Sequence, residues 1–139
     1  MIKKQKKQQF NLQEFLERAQ VPAVPIWING KEYIVLIDTG SDASYLDVSV
    51  LEESPKILLG FQEEIIGGTS IKGKGSAVYQ VEFACGDKEF QEEFTENDFG
   101  HIFKFIEDSH GIKLCGILGT GFLMKYKCIL DFDKLVFYL

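Results

Sequence analysis

A chain of 139 residues has room for one domain, and at this size a core can form without disulfides or metal. Its 45% hydrophobic and 26% charged residues, with 12 Phe and 3 Pro, exclude a disordered tail, a collagen-like repeat and a disulfide miniprotein. A net charge of −6 argues against a nucleic-acid partner, because such binding begins with a basic surface.

In chain order, Lys3, Lys4, Lys6 and Lys7 come first; without these four, 11 basic residues face 21 acidic ones, a net of −10. No apolar run follows them, so a solvated start is expected here rather than an export signal. No stretch approaches 18 apolar residues, so no membrane partner and a cytoplasmic location are expected. Residues 11–20 read as an amphipathic helix, with Asn11 as cap, Glu14 at the capping-box position, and Leu12, Phe15, Leu16 and Ala19 on one face. Residues 1–20 are thus a basic segment with a short helix, and 21–139 the domain that carries the chemistry.

Val21-Pro22-Ala23-Val24-Pro25 stops the helix, since each proline biases its predecessor toward extended geometry. Ile26–Ile28 and Tyr33–Ile37, joined around Asn29-Gly30, read as a β-hairpin. Glu63–Ile66, Ile71–Phe83 and Lys88–Phe94 are further strand candidates, with the clearest alternation at Ala77, Tyr79, Val81 and Phe83. A helix is expected around Ile102–Ile106 and a helical turn at Phe122–Lys127. Between them lies the short apolar run Ile117-Leu118, and Cys128–Phe132 with Leu135–Leu139 forms a closing hairpin. The class is mainly β, with two or three short helices.

The chemistry concentrates at Ile34-Val35-Leu36-Ile37-Asp38-Thr39-Gly40-Ser41. Four consecutive apolar residues indicate a strand covered on both faces. A carboxylate directly after it enters poorly solvated surroundings, although Asp, Gly and Ser are also ordinary turn residues. Other constellations are weaker. Gly68–Lys74 nearly spells a phosphate loop, but Gly75 follows where Ser or Thr is needed, and a strand follows where a helix is needed. His101, His110 and Cys115 have no orienting third group. Asp131 and Asp133 fit a charged turn better than a metal site. Cys85, Cys115 and Cys128 have neither zinc-ligand spacing nor an even count, and read as small buried residues in a reducing compartment. No metal site and no cofactor are expected.

Asp38-Thr39-Gly40, the paired glycine in Ile65-Ile66-Gly67-Gly68-Thr69-Ser70-Ile71, and Gly116-Ile117-Leu118-Gly119 stand in an order that resembles the retropepsins. These are single-domain, retroviral-type aspartic proteases, and the resemblance runs from about Pro22 to Leu139. It implies a closed β fold with a flap hairpin, with Asp38 as the catalytic aspartate and Thr39 and Gly40 completing its triplet. It implies that the threonine hydroxyl locks two active-site loops together, and that Ile117-Leu118-Gly119 threads behind the catalytic loop. Ser41, Asp42, Ile66, Gly67, Gly68 and Thr69 would contact an extended peptide or protein substrate. The chain departs from the pattern at Thr120 and Gly121, where the family often carries a basic residue and then Asp or Asn.

Aspartic proteolysis needs two carboxyl groups sharing one proton. This chain holds one Asp-Thr-Gly, and Asp108-Ser109-His110 breaks the pattern at its third position. The second carboxyl must then come from a second copy, in a symmetric homodimer. The apolar end Leu135–Leu139 is expected to help hold that dimer. The alternative is a catalytically silent, dimeric peptide-binding module of the same fold.

Overall fold

Three sheets and four short helices make up residues 6–62, 64–66, 69–71 and 75–139, the parts of the chain described by the computed structural model. The first half runs β1 (Gln9–Asn11), α1 (Gln13–Ala19), β2 (Ala23–Ile28), β3 (Lys31–Ile37), β4 (Tyr45–Asp47), α2 (Val48–Glu53) and β5 (Ile57–Phe61). Then come β6 (Glu64–Ile66), β7 (Thr69–Ile71), β8 (Ala77–Cys85) and β9 (Lys88–Asn97). The last part is α3 (Lys104–His110), β10 (Leu114–Leu118), α4 (Thr120–Lys125), β11 (Ile129–Asp131) and β12 (Val136–Tyr138). The fold is mainly β, as the sequence implies.

The main sheet has the order β2-β3-β10-β4-β9-β8-β5, and β2 returns to β8 at Trp27 opposite Ala84. That contact closes the sheet into a barrel around Ile26, Val35, Leu46, Val81, Phe83 and Phe94. The hairpin at Asn29-Gly30 is present, with both residues at positive φ as such a turn requires. Along β8, Ala77, Val81 and Phe83 point inward and are buried, and Tyr79 packs on the core from its edge.

β3 is covered on both faces. Val35 and Ile37 enter the barrel core, while Ile34 and Leu36 pack with Ala23, Ile112 and Leu114 on the other side. Phe103 and Ile106, from and beside α3, cover that second cluster. Within the Phe-rich stretch, Phe94 and Phe99 are buried but Phe105 lies exposed.

Several boundaries differ from the sequence reading. α1 begins at Gln13 rather than Asn11, because Asn11 is held in β1 opposite Val136. Its side chain still accepts the Gln13 amide at 2.8 Å, while Glu14 pairs with Arg18 along the helix instead of closing a capping box. α3 starts at Lys104 and ends on Gly111, whose φ of 70° stops it. α4 starts at Thr120, two residues before the expected turn. The chain end pairs inside its own protomer: β12 is the middle strand of a sheet ordered β1-β12-β11, with Phe137 and Leu139 buried. Phe137 and Leu139 thus join the core of their own chain.

β4 and α2 meet at Asp47. Its carboxylate caps α2 through the Ser49 amide at 3.0 Å and accepts the Phe99 amide at 2.8 Å, tying the helix to the end of β9. Burial acts to raise this carboxyl, but the Ser49 hydroxyl and the two amides outweigh it and hold it below the ordinary value. A carboxyl lowered in the folded state stabilises above its unfolded value and loses that contribution as the pH falls through the folded one. Asp47→Ala should therefore cost about 1–3 kcal/mol at neutral pH and less in acid, read as the difference between two melting curves.

Candidate active site

The loop after β3 is built around Asp38. The strand reaches its last residue with Ile37 donating its amide to Pro22 O at 2.8 Å, and Asp38 N continues to Leu118 O at 3.0 Å. β10 runs parallel to β3, with Ile117 opposite Leu36 and Leu118 opposite Ile37, and antiparallel to β4. Ile117-Leu118 thus lies beside the strand that delivers Asp38 and behind the loop that follows it.

Within the loop, Gly40 N donates to Asp38 Oδ1 at 2.9 Å and Ser41 N to Asp38 O at 3.3 Å. One carboxyl oxygen is thereby oriented by a backbone amide. Among the described residues Oδ2 has no protein donor. Asp38 is half-buried in the protomer, while Thr39, Gly40 and Asp42 are exposed. Half-burial is less than the sequence predicts, because the loop that carries Asp38 is itself exposed at Thr39, Gly40 and Asp42. Ser41 donates its hydroxyl to Ala43 O, and Asp42 Oδ1 accepts the Ala43 amide, both at 2.8 Å.

The far side of the loop rests on the start of α4. Thr120 gives both its amide and its hydroxyl to Ser41 O, at 2.7 and 3.1 Å, and Gly121 N donates to Asp42 O at 3.0 Å. Gly119 N donates to Ser44 Oγ at 3.1 Å. Thr120 and Gly121, which depart from the family pattern, therefore hold the loop by bonds to its main-chain carbonyls. Ser44, Thr120 and Gly121 are site residues that sequence reasoning did not assign. The Gly-x-x-Gly spacing was the available signal for the close approach, and nothing in the sequence marks Ser44.

Gly119 has no room for a side chain. A Cβ there would stand 2.2 Å from Ala43 O and 2.8 Å from Ser41 O, both backbone atoms. Gly119→Ala should push α4 off the loop, destabilising the protomer by about 1–3 kcal/mol. Any hydrolytic rate should drop further than the loss of folded protein explains. Activity per folded molecule, from a melt and a rate on one sample, measures this.

Ile66 and Thr69 face each other across β6 and β7, while Gly67 and Gly68 lie outside the described residues, as does part of the Gly68–Lys74 segment. The competing sites do not assemble. Burial pushes the Cys85 thiol up to about 12 and raises Cys115 and Cys128 as well, which makes poor nucleophiles of all three. Asp131 Oδ1 accepts the amides of Asp133 and Lys134 at 2.9 and 3.0 Å, which makes it a turn residue of the last hairpin. Among the described residues no group of three metal-ligating side chains stands together, and no helix is long and apolar enough to cross a membrane.

With that geometry in place, the chain can be set beside known proteins. It is similar to the solved structure of EIAV protease complexed with the inhibitor HBY-793, at a TM-score of 0.52. The match covers 81% of this chain and 94% of that one, at 17% identity. The fold is that of a retroviral protease. No family model matches the sequence, and no curated protein does.

Proposed function

We propose that this chain is one half of an aspartic endopeptidase, a homodimer in which each protomer supplies Asp38. One observation carries the reading. A carboxylate sits at the end of a strand covered on both faces, one oxygen held by the Gly40 amide, on a loop braced by α4, in a retroviral-protease fold. A turn residue needs no such bracing.

Two carboxyl groups about 3 Å apart cannot both ionise, so the pair holds one proton. The ionised member takes a proton from a water, whose oxygen attacks the peptide carbonyl. The protonated member gives its proton to the carbonyl oxygen, forming a tetrahedral diol. Return of a proton to the amide nitrogen breaks the C–N bond and releases a carboxyl and an amine. Thr39, exposed at the loop tip, would brace the two loops against each other. Ser41, Asp42, Ile66 and Thr69, with Gly67 and Gly68, would contact an extended peptide by main-chain bonds, as in strand addition.

The test is binding of a peptide in which a hydroxyl-bearing carbon replaces the scissile carbonyl. One such molecule per two chains, together with hydrolysis of the parent peptide, is the expected result. Binding without hydrolysis would instead identify a silent peptide-binding module.

A further inference from the structure

The outer face of the main sheet carries a groove at the seam where the barrel closes. β2 and β8 meet there through one pair, Trp27 opposite Ala84, and the cavity at that pair has a volume of about 530 Å³. Trp27, Asn29, Glu82, Ala84, Glu89 and Gln91 are among the residues that line it. Alternation along the strands places this set outside the barrel. Ile26 and Ile28 enter the core on either side of Trp27, as Val81, Phe83 and Cys85 do around Glu82 and Ala84. Trp27, the single tryptophan of the chain, is half-buried and packs in neither hydrophobic cluster.

Register sets the charges around its ring. Glu32, Trp27, Ala84 and Glu89 form one row across β3, β2, β8 and β9. Glu82 stands opposite Gln91, which makes it a diagonal neighbour of Glu89, about 7–8 Å away. Ala84 is the small residue between them and leaves space beside the indole. Glu32, Glu82 and Glu89 are exposed, and none of them forms an ion pair among the described residues. The nearby lysines are engaged elsewhere: Lys31 with Glu53, Lys88 with Leu139 O, and Lys56 over the Tyr79 ring.

An aromatic ring beside two unpaired carboxylates favours a cation, which the ring face attracts and the carboxylates accept hydrogen bonds from. A guanidinium suits this better than an ammonium, because its plane stacks on an indole while its fork of donors reaches two acceptors. The groove also continues. A second cavity of about 360 Å³ shares Asn29, Glu82 and Gln91 with the first and runs on to Pro55 and Ile57. Ile57 is 58% exposed, at the start of the edge strand β5. That length exceeds what one cation needs and matches an extended stretch of chain.

We propose that this groove binds a basic segment of a partner protein, with an arginine on Trp27 between Glu82 and Glu89 and an apolar residue toward Ile57. The site stands apart from Asp38 and does not depend on the protease reading. Asn29-Gly30 precedes β3 and Asp38 follows it, so the length of that strand, roughly 20 Å, lies between them.

Fluorescence of Trp27 reports occupancy directly, since no other tryptophan contributes. The probe is a pool of short peptides free of Trp and Tyr, with arginine fixed at the centre and mixed residues elsewhere. A saturable change in emission is expected with this pool and none with a pool that has glutamine at the centre. Wild type and Asp38→Asn should respond alike. Glu82→Gln with Glu89→Gln alters two exposed side chains, so the melting curve should hold while the affinity falls about tenfold or more. Peptides held only at the Asp38 loop would bind that double variant as well as wild type. Such a result, or no saturable change with the arginine pool, overturns the proposal. Argininamide acting at the same concentration as the pool would also overturn it, because the ligand would then be a small cation and not a segment of protein.

Discussion

Asp38→Asn is expected to abolish hydrolysis of a mixed-peptide library at every pH from acidic to neutral, with the fold and the oligomeric state unchanged. The amide keeps the size of the carboxyl, and its oxygen can still accept the Gly40 amide that now reaches Oδ1 at 2.9 Å. What it loses is the capacity to take a proton from water. Loss of a positioned general base alone is worth about 10²–10⁴ in rate. Here the same change removes both members of the pair, so the effect should exceed that range. The variant should melt close to wild type, because the amide fits where the carboxyl does and keeps the Gly40 bond. Equal cleavage by wild type and variant would make Asp38 a turn residue and sink the mechanism.

The sequence was most legible where one physical requirement leaves a local mark. Four apolar residues in a row can only be satisfied between two packed layers, and β3 lies between the barrel core and the Ala23–Ile112–Leu114 cluster. Asn29-Gly30 marks its turn because both residues take positive φ. The Asp38 loop and the Gly116–Gly119 stretch were legible for a similar reason. Glycine is needed where backbones touch, and a Cβ at Gly116 would stand 2.4 Å from Tyr45 O.

What the sequence hides is structure fixed by distant partners. β4 is three residues long, Tyr45–Asp47, and is a strand only because β10 and β9 flank it. β1 alternates over three residues only, too few to read as a strand, and its pairing comes from Val136–Tyr138, at the opposite end of the chain. β5 carries exposed Ile57, Leu58, Leu59 and Phe61 and bulges between Leu58 and Gly60, so no period of two survives in it. The bracing of the Asp38 loop by Thr120 and Gly121 runs through backbone atoms, which side-chain identity does not report.

The sheet of chain ends leads to the second large effect. Deleting Val136–Leu139 should unfold the protomer rather than release a folded monomer. Among the described strands β12 alone links β1 to β11, pairing with each over three residues. The Gln8 and Leu139 amides and carbonyls exchange bonds of 2.8 and 3.0 Å, and Lys88 Nζ reaches Leu139 O at 3.1 Å. Phe137 and Leu139 are almost wholly buried in the same core as Leu12. Removing a buried side chain of that size costs about 2–5 kcal/mol, so the two together approach the roughly 5–15 kcal/mol that holds a domain folded. Leu139→Ala alone, at about 2–5 kcal/mol, should lower the melting temperature by several degrees while leaving a folded chain. Circular dichroism of the truncated chain and of Leu139→Ala separates the outcomes. A truncated protein that stays folded and melts like wild type would mean the chain ends contribute little within the protomer. The pairing of β12 with β1 and β11 would then not be what holds the fold.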